Sequence, residues 1–446
     1  MSYSSRNGRR PNEYASKSSH TNIIGDPKIQ LFLDKCALPK NSQDINLDYD
    51  TLTFEVDYSL KNPINVVAAI DGGYSEITVK KEFPSSVLNF YQYGVLIFKS
   101  EYLDTLSKKP FIDPEDIAKL KEMERYKFVL PTKNVSYDSE NIVNSVRRAF
   151  YDFFVNDEEP FIESLKWFLF REYDRLKEKE YVLSSCPNPN CECRKLNLAL
   201  SEMSDDFKFK CHSCNEVIYL TDVFRFHEGI NEEHGAGGIL AYVTNILEQM
   251  LLVHSIKLFL KLKPSLLKET LFLKDGPLAF FGYTANMHKP MRSLCNHLLQ
   301  NHDLFLVGIE KSGPFVEHAE QISEKIQPGT ALLLDNSYIY KYIIPGTANP
   351  SNPYARTSYY GGKLIFKSRE GKLYVITIPV SDEYVVLNPL KENFKNIDVI
   401  LNNLEKLKCD MYDNSLFPVA LANKLVSLSA HPSSNILEKF AKNSVQ

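Results

Sequence analysis

Residues 66–73, VVAAIDGG, form an apolar run that ends in an Asp-Gly pair. Residues 270–277, TLFLKDGP, repeat this pattern later in the chain. Apolar runs of this length are typical of buried strands. The Asp-Gly pair alone favours a tight turn, which is the simpler interpretation of either segment by itself. Together, the segments would place Asp71 and Asp275 at the tips of neighbouring strands, as a hard oxygen site suited to Mg²⁺ or Mn²⁺.

Strands and helices alternate on both sides of these segments. From β-branched and aromatic patterning we predict strands at residues 47–57, 65–69, 77–79, 270–273, 304–309 and within 331–379. From helical spacing and capping residues we predict helices at residues 113–125, 141–155, 160–183, 239–262, 291–301, 396–407 and 418–429. The alternation predicts a mixed α/β fold.

Composition describes an ordinary globular protein of 446 residues, 43% of them hydrophobic, with room for two or three domains. Its net charge of -4 provides no global positive field, so any contact with nucleic acid must come from a local patch.

Two segments bear on where the chain resides. Residues 1–30 are polar and carry Arg6, Arg9 and Arg10 without an apolar run, which predicts a disordered basic tail and no signal peptide. Residues 239–262 are apolar but contain Glu248 and His254, which predicts a buried amphipathic helix rather than a membrane span. We therefore expect a soluble, cytoplasmic protein.

Five of the eight cysteines fall within residues 186–214, and such clustering indicates a metal site in a reducing compartment. Four of them form two knuckles, Cys186 with Cys191 and Cys211 with Cys214. Four thiolates at this spacing fit tetrahedral Zn²⁺ with a structural role. Cys193 is a spare that could replace Cys191, and His212 or His227 could substitute as a ligand.

Residues 356–372 interleave basic and aromatic side chains. Cations can follow phosphates while aromatic rings stack on unpaired bases, so this composition suits a channel for single-stranded DNA. The candidate DNA contacts are Arg356, Tyr359, Tyr360 and Lys363. A twisted surface hairpin is the competing interpretation.

The order of several motifs resembles the NurA family of nucleases. Besides the two Asp-Gly segments, the similar stretches are residues 307–312 (VGIEKS), 338–345 (YIYKYIIP), 352–356 (NPYAR), 359–363 (YYGGK) and 417–425 (FPVALANKL). The resemblance implies an RNase H-like core, a mixed sheet flanked by helices, that degrades DNA ends with a divalent metal, usually Mn²⁺. It also implies a HerA-type hexameric ATPase as partner, a homodimer, and a setting in repair or anti-phage defence.

The resemblance also implies roles for particular residues. Asp71 and Asp275 would ligate the metal, and Glu248 is the candidate for a third ligand because it lies midway along the preceding helix. Lys311 would stabilise charge near the scissile phosphate. The family commonly has His or Asp where this chain has Asn423, a weaker neutral donor, so that metal position is expected to be weak.

These expectations divide the chain into a tail (1–30), a first part of the core (45–155), a helical and zinc-ribbon insertion (156–235), a second part of the core (236–430) and a C-terminal tail (431–446). Two other functions stay open. One is a catalytically weak zinc-ribbon adaptor that binds DNA or the ATPase. The other is an RNase on the same core, because no motif in the sequence indicates whether the protein distinguishes RNA from DNA by the 2′-hydroxyl.

Overall fold

A nine-stranded mixed sheet forms the centre of the computed structural model, which describes residues 17–41, 44–45, 49–101, 123–156, 160–409, 414–428 and 433–445. The described strands are β1 (Thr53–Glu55), β2 (Val66–Lys80), β3 (Ser86–Lys99), β4 (Met123–Lys133), β5 (Glu180–Ser185), β6 (Arg194–Ala199), β7 (Lys208–Lys210), β8 (Val217–Tyr219), β9 (Thr270–Asp275), β10 (Phe305–Glu310), β11 (Thr330–Leu333), β12 (Gly361–Lys367) and β13 (Leu373–Pro379).

The described helices lie between and beside these strands. They are α1 (Lys17–Ile24), α2 (Pro27–Leu33), α3 (Tyr49–Leu52), α4 (Ile142–Val155), α5 (Phe161–Leu169), α6 (Leu240–Leu262), α7 (His288–Asn301), α8 (Pro314–Gln321), α9 (Asn336–Tyr342), α10 (Ile397–Lys406), α11 (Phe417–Val426) and α12 (Ser433–Ser444).

The order of the strands explains why the two Asp-Gly segments meet. The large sheet runs β1-β11-β12-β13-β10-β9-β2-β3-β4. Strands β2, β3 and β4 form an antiparallel meander, whereas β9 lies parallel to β2 and β10 lies parallel to β9. Helix α6 precedes β9, and α7 connects β9 to β10. Three antiparallel strands followed by two parallel ones with helical crossovers are the RNase H-like arrangement, so the predicted fold class is confirmed.

Alternation along β2 separates two hydrophobic cores. Ala68 and Ile70 belong to a first core shared with α4, α5, α6 and α7. Val67 and Ala69 face a second core shared with α10 and α11. Because successive side chains of a strand point to opposite faces, both faces of β2 are covered, and its sequence is continuously apolar rather than alternating.

Helix α6 passes through the first core. Every residue from 246 to 256 is buried, including the polar Glu248, Gln249, His254 and Ser255, so this part of the helix has no polar face towards solvent and the predicted amphipathic face is wrong. Among the described residues, Gly237–Leu262 is the one helical stretch long and apolar enough to cross a membrane, yet 78% of its apolar window is buried inside the fold. It is a core helix.

Three predicted elements need correction. The helix predicted at 160–183 ends at Leu169, because the chain turns there with Arg171 at a φ of +51°, and Glu180–Ser185 form β5 instead. Within 47–57, α3 precedes a strand of only three residues, Thr53–Glu55. The helix predicted at 113–125 lies mostly outside the described residues, and residues 123–125 begin β4 instead.

Both tails contain helices. Residues 1–16 lie outside the described part, but α1 and α2 cover 17–24 and 27–33, so the disordered tail is wrong for that stretch. Asp26 accepts a hydrogen bond from the Lys28 amide and Pro27 follows it, which starts α2 as a capped helix. At the other end, α12 packs against β2 and buries Ala441.

Candidate metal centre

Three carboxylates meet where β9 ends beside β2. The parallel pairing of these strands stops at Ile70 opposite Lys274, so the next residues, Asp71 and Asp275, lie side by side. Strand β2 continues to Lys80, so Asp71 lies within the strand and not at its tip, and the alternative interpretation of Asp71-Gly72 as a tight turn is wrong. At Gly276, by contrast, φ is +79° and the chain does turn.

Glu248 reaches the same place from α6. A Cβ atom on Gly72 would lie 3.3 Å from Glu248 Oε1 and 3.1 Å from the Tyr93 Cβ atom. The glycine after Asp71 therefore allows the helix carboxylate to approach the strand closely. The centre thus combines one carboxylate from β2, one from α6 and one from β9.

Each carboxylate is anchored through one of its oxygens. Asp71 Oδ1 accepts a hydrogen bond of 2.7 Å from the Gly72 amide. Glu248 Oε2 accepts one of 2.8 Å from Lys274 Nζ, and Asp275 Oδ2 accepts one of 2.8 Å from Lys311 Nζ. Asp71 Oδ2 is buried and has no hydrogen-bond partner among the described residues.

Burial and crowding change the proton affinity of two of these groups. Burial, then the nearby charges of Asp275 and Glu248, raise the pKa of Asp71 to about 8, although Lys311 opposes the shift. Burial also raises the pKa of Glu248, and Lys274 opposes this. Negative charges held this close in a buried place are stabilised by a cation.

The donor set fits a hard divalent cation. Carboxylate oxygens are the ligands that Mg²⁺ and Mn²⁺ prefer, and three carboxylates on a rigid strand pair and a core helix are held in fixed positions. The unpartnered oxygen of Asp71, whose side chain is 1% exposed, is the kind of buried polar atom that a metal would satisfy. The structure therefore brings Asp71, Glu248 and Asp275 together as candidate ligands, with Lys311 beside them.

Sequence analysis missed Lys274. Its side chain is buried, and Nζ donates to Glu248 Oε2 and, at 2.6 Å, to the Asp275 carbonyl oxygen. A lysine inside an otherwise apolar strand next to Asp275 was the available signal, because a buried lysine needs an anionic partner.

The predicted DNA-contact residues lie largely inside the fold. Tyr360 is fully buried and its hydroxyl donates to Gln249 Oε1 at 2.8 Å. Tyr359 and Lys363 are also buried. These three side chains offer no exposed stacking surface, so the expected open channel is wrong for them.

Lys363 is held by its surroundings instead of facing solvent. Its Nζ lies 2.7 Å from Glu310 Oε1 and 3.5 Å from the centre of the Phe315 ring. Arg356 is the partly exposed member of the set, and it pairs with Glu383 at 3.6 Å. Within the segment, residues 361–367 form β12, which pairs with β13 in a hairpin of the large sheet. The hairpin is buried, so the competing interpretation is right about the hairpin and wrong about its place on the surface.

Asn423 lies on α11, which packs against β2, β3 and β9. Its side chain is exposed, and within the described residues no hydrogen bond joins it to Asp71, Glu248 or Asp275. The role of Asn423 as a fourth metal position therefore stays a prediction.

The four predicted zinc ligands form a second, separate cluster. The sulfur atoms of Cys186, Cys191, Cys211 and Cys214 all lie within 4.8 Å of one another. Two of the separations are 3.7 Å and 3.8 Å. A tetrahedral Zn²⁺ with bonds of about 2.3 Å would separate its sulfur ligands by about 3.8 Å. The alternatives Cys193, His212 and His227 lie outside this group.

A buried arginine attaches the cysteine module to the core. Arg147 on α4 makes two hydrogen bonds to Asp222, of 2.9 Å and 2.8 Å. It also donates to the Val217 carbonyl oxygen on β8 and to Glu216. A bidentate guanidinium–carboxylate pair fixes orientation as well as distance, so the module has one defined position on α4.

Comparison with known proteins assigns the chain to a family. A model of the NurA domain matches residues 65–356, which is more than half of the chain. The chain therefore belongs to the NurA family of nucleases, as the order of its sequence motifs predicts. No curated protein sequence matches the chain.

Solved structures of NurA proteins align with nearly the whole chain at low similarity. The NurA nuclease from Sulfolobus solfataricus is 8% identical, with a TM-score of 0.33 over 96% of this chain and 97% of that one. A second NurA structure is 11% identical, with a TM-score of 0.32 over 97% and 98%. NurA bound to dAMP and manganese is 12% identical, with a TM-score of 0.29 over 97% of each chain. The family assignment rests on the domain match.

Proposed function

We propose that this protein is a divalent-metal-dependent deoxyribonuclease that shortens or resects DNA ends. The observation that carries the proposal is that Asp71, Glu248 and Asp275 lie near enough to one another for the other two carboxylates to raise the pKa of Asp71, whose buried Oδ2 has no hydrogen-bond partner among the described residues. Mn²⁺ is the ion to test first, because the family resemblance implies it and the oxygen donors suit it.

Hydrolysis of a phosphodiester requires water to attack phosphorus, one P–O ester bond to break, and a proton to reach the leaving oxygen. A bound divalent ion would lower the pKa of water and neutralise charge on the phosphate. In this centre, Asp71, Glu248 and Asp275 would hold the ion in place.

Lys311 is suited to contact the phosphate. Its side chain is 26% exposed, and its ammonium lies 2.8 Å from Asp275 Oδ2. A lysine ammonium has three N–H donors, so it can keep this bond and donate another to a non-bridging phosphate oxygen. That contact would stabilise the charge that develops in the transition state.

The cysteine cluster is proposed to bind one structural Zn²⁺. Four thiolates leave no open coordination position, so the ion would stabilise the module without taking part in cleavage. Its attachment through Arg147 and Asp222 supports an architectural or docking role.

The wider setting follows from the family resemblance alone. It supports a HerA-type hexameric ATPase that delivers DNA, a homodimer of this chain, digestion from ends with cleavage of single strands, and a role in repair or phage defence. Copurification and light scattering of the protein with such an ATPase test the first two proposals.

A second candidate function is a catalytically weak adaptor subunit. It is favoured by the exposed Asn423, which is not hydrogen-bonded to the carboxylates within the described residues, and by the burial of Tyr359, Tyr360 and Lys363. An adaptor would bind DNA or the ATPase without cutting.

Digestion of end-labelled DNA distinguishes these functions. Native protein, Asp71→Asn and Asp275→Asn are incubated with Mn²⁺ and single- or double-stranded DNA, with and without a HerA-type ATPase. We expect native protein to shorten DNA and both variants to be inactive, with Asp205→Asn, at an exposed position, as the matched control. Absence of cleavage under every condition, with binding retained, would favour the adaptor. Matched RNA strands test the RNase alternative.

A further inference from the structure

An exposed aromatic ring lies on β2 just beyond the carboxylate centre. Strand β9 stops pairing with β2 at Ile70, and β2 continues to Lys80. The exposed side chains on this continuation are Tyr74, Glu76 and Lys80. Tyr74 is 41% exposed, although a large aromatic side chain stabilises a fold most when it is buried. Core packing therefore accounts for only part of this ring.

Tyr74 points to the side of the sheet on which Glu248 lies. Side chains two residues apart on a strand share a face, and a Cβ atom on Gly72 would lie 3.3 Å from Glu248 Oε1. Tyr74 comes three residues after Asp71, which corresponds to about 10 Å along the strand. A DNA strand bound at the carboxylates would therefore pass this ring within a few nucleotides of the bond that is cut.

The ring of Tyr74 rests on two buried rings. Its centre lies 5.8 Å from that of Tyr91, its cross-strand neighbour, with 38° between the ring planes. Tyr91 stacks in turn on Phe128 of β4, with 5.7 Å between the ring centres. Both supporting rings are buried. Because Tyr74 is already held in place, a ligand that stacks on it orders few additional torsions.

We propose that Tyr74 stacks on an unpaired base of a DNA strand bound at the carboxylate centre, and that it thereby favours single-stranded over double-stranded DNA. The inference rests on the proposed function, because it requires DNA to bind at that centre. Aromatic side chains bind single strands in this way, since every base has a flat π-face. Bases inside a duplex are covered on both faces by their neighbours, so the ring cannot stack on them.

Binding of a fluorescein-labelled single-stranded oligonucleotide to the full chain tests this proposal, with Ca²⁺ as the oxygen-binding divalent ion in place of Mn²⁺. Tyr74→Leu should weaken binding about tenfold, a typical loss for one base stack. Tyr74→Phe keeps the ring and should bind within about twofold of native protein. Tyr137→Leu is the matched control, because Tyr137 is also 41% exposed but lies on the loop before α4, and it should bind as native protein does.

Removal of a base tests the contact itself. Each member of a series of oligonucleotides carries one abasic sugar, which keeps the phosphates and deletes a single base. At one position in the series, native protein and Tyr74→Phe should lose about tenfold in affinity, whereas Tyr74→Leu should lose almost nothing. The comparison is made between ligands of one protein, so reduced stability of a variant cannot produce it. A relaxed circular duplex should bind native protein and Tyr74→Leu equally.

Cleavage kinetics give a second measurement. With Mn²⁺, Tyr74→Leu should raise the KM for single-stranded DNA about tenfold and leave kcat within about twofold. A stack on a base away from the reacting phosphorus stabilises the ground state and the transition state alike, so it changes KM and not kcat.

The outcomes separate this inference from the proposed nuclease function. Equal affinity of native protein and Tyr74→Leu for single strands, with cleavage intact, would overturn the inference alone. Equal losses for these two proteins at every abasic position would also overturn it. Binding that depends on Tyr74, without cleavage under any condition, would support the inference and overturn the nuclease function. No binding of DNA would overturn both proposals.

Discussion

Replacing Asp71 by Asn should stabilise the metal-free protein while abolishing metal-dependent cleavage. Burial and the neighbouring carboxylates raise the pKa of Asp71 from 3.8 to about 8. A carboxyl group with a raised pKa in the folded state contributes stability that is complete below pH 3.8 and is lost as pH rises towards 8. Between pH 3.8 and pH 7 the stability falls by about 1.36 kcal/mol for each pH unit, so the loss at pH 7 is about 4 kcal/mol. Asn keeps the size of the side chain without the charge, so the variant should avoid the loss.

Thermal unfolding measures this gain directly. For 446 residues the unfolding entropy is about 0.9 kcal/mol/K, so about 4 kcal/mol corresponds to a rise in Tm of about 4 °C. At pH 5 the expected gain falls to about 2 kcal/mol, because the native protein has lost less of the stability contributed by Asp71 at that pH. The protein should be freed of Mn²⁺ by dialysis without a chelator, so that any thiolate-bound zinc is retained.

Added Mn²⁺ and a surface variant complete the test. Mn²⁺ should raise the Tm of the native protein and leave that of Asp71→Asn unchanged, while Asp205→Asn should behave as native. A lower unfolding temperature of Asp71→Asn than of native protein at pH 7, or an equal gain in Tm at pH 5 and pH 7, would show that the Asp71 charge does not destabilise the metal-free fold.

Three further variants have expected outcomes of their own. Glu248→Gln should destabilise the metal-free protein by about 3 kcal/mol, opposite in sign to Asp71→Asn, because it leaves Lys274 buried without an anion; urea denaturation measures this. Cys211→Ser should lower bound zinc from one ion per chain to none and expose the module to proteolysis, as elemental analysis and limited digestion would show. Arg147→Met should cost about 3 to 5 kcal/mol by leaving Asp222 unpaired, with zinc content unchanged, which separates docking of the module from metal binding.

Local patterns predicted the two Asp-Gly strands and the cysteine cluster, but they missed β3 and gave a helix where β4 begins. The apolar runs before Asp71 and Asp275 became β2 and β9, and the helix predicted at 141–155 begins at Ile142 with Asn141 as its N-cap. Patterns of this kind depend only on residues that are close in sequence, so they can be recognised without knowledge of the tertiary structure. The prediction was wrong at 160–183, where helical spacing of apolar residues continues to Leu176 although the helix ends at Leu169.

The interleaved basic and aromatic segment shows the limit of composition. Residues 356–372 have the side chains of a DNA-binding surface, yet Tyr360 and Lys363 belong to a hairpin whose faces are buried by the rest of the sheet and its helices. Burial depends on what packs against a strand from elsewhere in the chain. The sequence of the segment therefore does not show whether its side chains are buried.

The amino-acid sequence alone predicts the family, the mixed α/β class and the pairing of the two Asp-Gly segments. Each of these predictions depends on short motifs of apolar, acidic and glycine residues and on the order of those motifs along the chain. The reach of Glu248 over Gly72, the unpartnered oxygen of Asp71 and the place of Lys274 beneath the centre appear only once the chain is folded. They depend on the register of β9 against β2 and on the packing of α6 across them, and such contacts join residues that are far apart in sequence.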